Sequence, residues 1–174
     1  AEKISLLLDI INNHPQSEYL LQSIELVART YFANGQYDKA LSYYNKIIFD
    51  YPESALLLDA RIQVADIHFK QGKYAPAEEE YLSLITEHGA TTPIICERVA
   101  QGLKSLYSET NELDKIEALA SQFSCVKFST DEQENLYYTA AIEVYYDSTM
   151  AETQRLTKSI PKLESYLNKF PKGS

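Results

Sequence analysis

The 174 residues include no tryptophan, one methionine, two cysteines, five glycines and six prolines. So few glycines and prolines supply too few tight turns for a many-stranded β fold. No run approaches the roughly 18 consecutive apolar residues of a membrane span, so no transmembrane segment is expected. Basic residues are the minority, 16 against 25 acidic, which gives a formal net charge of -9. A phosphate backbone selects a basic face, so nucleic acid is not expected as a partner, whereas basic or neutral proteins suit an acidic surface. The chain begins at Ala1, without Met and without a signal-peptide pattern, and reads as a processed chain or an excised segment. It carries no glycine-rich phosphate loop, no nucleophile elbow and no acid/base pair at motif spacing. His14, His68 and His88 do not cluster, and a metal site needs three or four converging ligands. The expectation is a non-enzyme with no cofactor and no metal.

What the sequence does have is a repeat. GQYDKALSYYNKIIFDYP (35–52) and GKYAPAEEEYLSLITEHG (72–89) share a skeleton. Gly35 falls on Gly72, Tyr37 on Tyr74, Ala40 on Ala77, Tyr44 on Tyr81 and Ile47-Ile48 on Leu84-Ile85, always 37 residues apart. Upstream, Val27-Ala28 falls on Val64-Ala65, Tyr31 on His68 and Phe32 on Phe69. A fixed period of this size marks a solenoid. Val27, Ala28 and Tyr31 recur at helical spacing, as do Ala40, Tyr44, Ile47 and Ile48, so each unit predicts two amphipathic helices. Gly35 and Gly72 lie between them, where a helix end favours a left-handed residue without a Cβ. Ala28 and Ala40 are small where two helix axes approach, and Pro52 stops the second helix.

The same grid places three further units. KISLLLDIINNHP (3–15) overlays on residues 40–52 and predicts a second helix without its first. RVAQGLKSLYSETNELDKIEALASQF (98–123) is a diverged unit, with Asn111, Leu113 and Ile116 in the Gly, Tyr and Ala slots. SIPKLESYLNKFP (159–171) is the second helix of a last unit, whose first helix is ENLYYTAAIEVYYDS (134–148). About six extra residues near TMAETQ predict a longer loop or an extended helix. The units run approximately 1–16 (partial), 17–53, 54–90, 91–128 and 129–174, as one solenoid segment. Ser17 and Ser54 precede first helices, Thr92-Pro93 supplies an N-cap and a proline at the first helical position, and Ser129 with Glu132 forms a capping box. The fold class expected is all-α, a right-handed solenoid of antiparallel helix hairpins.

The pattern Val-Ala, Tyr, Gly-x-Tyr-x-x-Ala, Tyr-x-x-Ile and Pro resembles the tetratricopeptide repeat. Both central units carry it well and the next two in part. YPESA and KFPKGS resemble repeats of bacterial cell-envelope proteins, of the Tol-Pal coordinator and outer-membrane assembly lipoprotein types. That resemblance implies a bacterial periplasm or envelope location in preference to the cytoplasm. It also implies a scaffold that binds a protein or peptide on a concave face lined by first helices. The implied groove residues are Gln22, Glu25, Arg29 and Phe32, then Asp59, Ile62, Asp66, Phe69 and Lys70, with Arg98, Gln101 and Ser105 from the third unit. Tyr138, Ile142 and Tyr145 extend the set into the fourth. For Phe32 and Phe69 the bland alternative is packing against a neighbouring helix. Relatives that clamp a chaperone's C-terminal carboxylate use a Lys and an Asn where this chain has Glu25 and Arg29, so that subtype is not implied.

The open first helix and the abrupt stop after KFPKGS suggest a window cut from a longer protein, with further repeats of the same parent chain as neighbours. Rival functions are a sensor or regulatory segment of a larger signalling protein and a helical carbohydrate-binding envelope lipoprotein. The absence of Trp weighs against the second. Of each tyrosine pair (Tyr43-Tyr44, Tyr137-Tyr138, Tyr145-Tyr146) one ring can be core while its neighbour, about 100° round the helix, lies nearer the surface. Cys96 and Cys125 lack metal or redox-motif spacing. They fall at adjacent ends of an antiparallel hairpin, so a disulfide is open to them, the alternative being two small buried hydrophobes.

Overall fold

The computed structural model describes residues 2–171. Ala1 and residues 172–174, which close the KFPKGS phrase, lie outside the described residues. Among the described residues there are nine α-helices and no strand. They are α1 (Glu2–Asn13), α2 (Leu20–Ala33), α3 (Tyr37–Asp50), α4 (Leu57–Lys70), α5 (Tyr74–His88), α6 (Pro93–Glu109), α7 (Leu113–Gln122), α8 (Thr130–Tyr146) and α9 (Glu152–Lys169). The fold is an all-α helical repeat. Two compact bodies divide the chain at residues 103 and 104, inside α6 and the diverged third unit.

The turns inside the hairpins repeat one hydrogen-bond pattern. At the end of α2 the Gly35 N–H donates to Phe32 O and the Gln36 N–H to Tyr31 O, both at 2.9 Å. After α4 the Gly72 N–H reaches Phe69 O and the Lys73 N–H reaches His68 O, again at 2.9 Å. After α6 the Asn111 N–H reaches Ser108 O at 3.2 Å and the Glu112 N–H reaches Tyr107 O at 2.8 Å. These pairs satisfy carbonyls that a helix end otherwise leaves orphaned, and they require a left-handed residue after the cap. Gly35, Gly72 and Asn111 supply it, with φ of 69°, 71° and 59°. Asparagine in the glycine slot is the chemically sensible exception, because its short polar side chain tolerates that region.

Other signals act as the sequence indicates, with one correction. Pro93 is the first residue of α6, and Ser129 and Glu132 form a reciprocal capping box on α8. Ser17 and Ser54, by contrast, do not cap. Their carbonyls accept from the N–H groups of Leu20 and Leu57 at 3.0 and 3.1 Å, so a turn intervenes and the helices start three residues later.

In the first body α2 packs on α3 and α4 on α5, while α1 packs on α2 and α3 on α4. The hairpins therefore follow one another in file, and α1 holds the place of a second helix. The core is the repeat skeleton itself: Val27, Ala28, Ala40, Ile47, Ala65, Ala77, Tyr81 and Leu84 are all fully buried. Burying a Val, Leu or Ile side chain contributes roughly 1.5–3 kcal/mol, which a lone hairpin with two open flanks cannot collect. Phe32 leans on Tyr37 and Phe69 on Tyr74, with centroids 5.8 and 6.0 Å apart. Tyr44 is core, and Tyr43 stacks on Tyr31 at 5.7 Å. Arg61 ties α4 to α5 by donating to Glu80 at 2.6 Å, Ser83 at 2.9 Å and Glu87 at 3.1 Å.

In the second body α8 packs on α9. The extra residues become helix: α9 begins at Glu152, seven residues before Ser159, and takes Pro161 into its interior. Ser159 fills the Ala40 slot and is fully buried. The Tyr166 hydroxyl donates to Glu134 at 2.9 Å and the Lys162 ammonium to Asn111 at 2.9 Å. Tyr138, Tyr145 and Tyr146 are all exposed. Neither cysteine is a free thiol: Cys96 and Cys125 are both disulfide-bonded.

Candidate functional site

The first body holds a cleft of about 500 Å³. Helix α2 gives it Glu25, Arg29, Phe32 and Ala33. Tyr44 and Ile47 of α3 form its floor, and Leu56, Asp59, Ala60 and Gln63 come from the start of α4. Arg98 of α6 completes the wall. Each residue is there through the helical period: Glu25, Arg29 and Phe32 are spaced four and three apart, which places them on one face.

The charges are arranged in pairs. Arg29 Nη1 lies 3.4 Å from Glu25 Oε1 along α2, and Arg98 Nη1 donates to Asp59 Oδ1. Gln22, Asp59 and Arg98 hold one slot in three successive first helices, so a charge alternation written across repeats becomes a salt bridge between α4 and α6. These pairs are at least partly solvated, and such pairs are worth about 0–1 kcal/mol. They leave both signs within reach of a ligand.

Below the charges runs a half-buried polar line. The Tyr44 hydroxyl donates to Gln63 Oε1 at 3.5 Å, the Gln63 amide donates to Asp66 Oδ2 at 3.2 Å, and the Tyr81 hydroxyl donates to Asp66 Oδ1. Burial pushes both phenols far above the usual tyrosine range, with Glu25 and Asp66 adding to the effect at Tyr44 and Asp66 at Tyr81. They are therefore neutral donors across the physiological range. Burial also raises the Asp66 carboxyl, against the lowering effect of the Tyr81 hydrogen bond, Arg98 and Lys70. The arrangement grips and orients; no side chain in it is activated as a nucleophile.

Of the residues expected on the groove, Glu25, Arg29, Phe32, Asp59 and Arg98 meet in this cleft. Gln22 and Lys70 are exposed on α2 and α4. Asp66 is half-buried with its oxygens occupied, and Phe69 packs on Tyr74 with the Lys70 ammonium 5.6 Å from its ring centre. Gln101 is exposed on α6, and Ser105 lies half-buried in the second body. Ile62 is a correction: it is core, 2 % exposed. Its slot is that of Glu25, and an aliphatic side chain there turns inward where a carboxylate stays at the surface. Leu56 and Gln63 went unforeseen. Leu56 lies just before α4, outside the helical pattern, and Gln63 carries no periodic signal.

The second body has its own cleft of about 480 Å³, around Lys162, Asn111, Asp114 and Tyr137. Burial lowers the Lys162 ammonium, with Asp114 and Glu143 acting the other way. Among the described residues no three His, Cys, Asp or Glu side chains are placed to hold a metal, and no helix is long and apolar enough to cross a membrane.

Residues 26–54 match the family model of the tetratricopeptide repeat. The match runs from Leu26 in α2 through α3 to Ser54, and so covers the turn at Gly35 and the stop at Pro52. Tetratricopeptide repeats generally mediate protein–protein interactions. No curated protein matches the chain, so the finer likeness to bacterial envelope proteins has no support from a relative.

Proposed function

We propose that the chain is a non-enzymatic interaction scaffold that binds a peptide segment of a protein partner in the first-body cleft. One observation carries the reading: an apolar floor and wall, with Phe32, Leu56 and Ile47, lie directly beside Arg29, Arg98, Glu25 and Asp59. Apolar area supplies affinity, and flanking charges of both signs set register and discriminate partners. The cleft size suits a few side chains of an extended or helical peptide, not a whole domain. The repeat match supports a protein as the ligand class. A bacterial periplasm or envelope setting belongs to the same proposal, supported by the disulfide-bonded cysteines, since cytosolic thiols are kept reduced.

Selection of a phage-displayed peptide library on the whole chain tests this. Selected peptides should bind at micromolar strength or better and lose about tenfold or more on the double substitution Arg29→Glu and Asp59→Lys. Both side chains lie at the rim, and their pairs add little to folding. Peptides that bind the charge-reversed chain equally well would remove the cleft from the function.

A further inference from the structure

The second-body cleft holds a lysine in a slot that the first body gives to an aromatic ring. The Phe170 N–H donates to Tyr166 O as the Tyr51 N–H donates to Ile47 O, which aligns α9 with α3 at an offset of 119. Lys162 then takes the slot of Tyr43, and both residues are half-buried. Tyr43 stacks on Tyr31. Lys162 instead lines the cleft of about 480 Å³, whose apolar wall comes from Leu113 of α7, Ala140 of α8 and Pro161 of α9.

The ammonium rests on a neutral partner, the amide oxygen of Asn111, to which it donates at 2.9 Å. Asp114 of α7, Glu143 of α8 and Lys158 of α9 act on it through space. The other charges and the phenol of the cleft have partners of their own. Glu112 lies 3.0 Å from Lys115, and the Tyr137 hydroxyl donates to Glu117 and accepts from Lys169. Burial is the largest influence and lowers the Lys162 ammonium; Asp114 and Glu143 oppose it, and Lys158 adds to it. Lys46 is the contrasting case: it meets Asp50 at 2.7 Å, and that hydrogen bond raises its ammonium. A partly desolvated ammonium on a neutral acceptor gives up its proton more readily, and the uncharged amine is the nucleophile.

We propose that Lys162 is a covalent modification site: a small neutral aldehyde enters the second-body cleft and the Lys162 amine captures it as an imine. The ammonium first releases a proton to solvent. The amine lone pair then forms a bond to the carbonyl carbon, and the carbonyl oxygen takes up a proton, which gives a carbinolamine. Water leaves with that oxygen and the two amine hydrogens, and the imine remains. No electrons are gained or lost, and hydration reverses the step. A neutral electrophile suits the site because Glu112 and Asp114 line it and the chain's net charge is -9, which disfavours anions. The apolar wall suits an aldehyde with a compact hydrocarbon body. The site belongs to the second body alone, so its test neither rests on the peptide-binding proposal nor decides it.

Benzaldehyde is the probe, added to the full chain at about pH 7 with cyanoborohydride, which reduces the imine to a stable secondary amine. Peptide mass spectrometry reads the extent of modification at each lysine. Lys162 should be modified about fivefold or more above the median of the other lysines. The preference should narrow toward about pH 10, where ordinary lysines also shed their proton, and vanish in the unfolded chain. Asn111→Asp replaces the neutral acceptor with a carboxylate, which holds the ammonium protonated and should bring Lys162 down to the level of the others. Aspartate tolerates the left-handed backbone at this turn, and a cooperative urea transition is the control for folding. Lys162 labelling no faster than the other lysines in the unaltered folded chain would overturn the proposal. So would a preference that survives unfolding, or undiminished labelling of a folded Asn111→Asp chain.

Discussion

A methyl group added at Gly35 or Gly72 would meet no atom within 4 Å, so torsion and not space holds these glycines. At φ near 70° an L side chain crowds its own carbonyl, which costs roughly 1–2 kcal/mol. Gly35→Ala and Gly72→Ala should each lose about that much in urea unfolding, whereas Asn111→Gly relieves the torsion and loses only the hydrogen bond that the Lys162 ammonium donates to the Asn111 side chain. Single residues also set opposite pH responses. Burial, then Lys73, lowers the His68 imidazole below its ordinary 6.5. As pH falls through 6.5 the unfolded chain takes that proton first, so stability drops until the folded histidine is charged as well. Asp66 behaves in the opposite sense. Its carboxyl is raised above 3.8, so the folded chain takes the proton first and regains stability as pH falls through the folded value. Unfolding midpoints followed from about pH 7.5 to about pH 4 should therefore dip and then recover in part. His68→Gln should remove the dip, and Asp66→Asn the recovery.

Within the elements, the two tyrosines of the repeat skeleton solve the same packing problem differently. The Tyr44 hydroxyl meets Gln63 of α4. The corresponding slot of α6, set by aligning the turns at Gly72 and Asn111, holds Gly102. With no side chain there, the Tyr81 ring comes against the backbone: a Cβ on Gly102 would lie 2.5 Å from its Cζ and 2.8 Å from its hydroxyl. The ring cannot retreat cheaply, because it is fully buried and its hydroxyl is bound to Asp66. Gly102→Ala should thus cost about 1–3 kcal/mol by overpacking, read as a lower urea midpoint with an unchanged slope. Gly102 was not legible in the sequence, since a helix-interior glycine reads only as a weak point until its neighbour is known. Gly35, Gly72, Asn111 and the capping box at Ser129 were legible, because each acts through its own backbone. The start of α2 and the extension of α9 were not, because nothing local distinguishes a turn after Ser17, or a helix through Pro161, from the alternatives.

For the whole chain, the period of 37 residues made the helical repeat readable, because stacking is the only way such hairpins bury both flanks. The cleft was half readable. Glu25, Arg29, Phe32, Asp59 and Arg98 follow from the register, but the inward turn of Ile62 and the contribution of Leu56 depend on packing that spacing does not encode. Sequence alone does not choose between bonded and buried free cysteines, and that choice has consequences for the molecule as a unit. Both are disulfide-bonded, and they are the only two in the chain. A bond between the two would close a loop of about 30 residues and restrict the unfolded ensemble, which on the loop-entropy model stabilises by about 3 to 4 kcal/mol. Reduction, or Cys96→Ser with Cys125→Ser, should lower the urea midpoint accordingly. Mass spectrometry supplies the direct check. The unreduced chain, denatured, should take up no iodoacetamide, and the reduced chain two equivalents. Uptake before reduction would show free thiols and remove the stabilisation assigned to them.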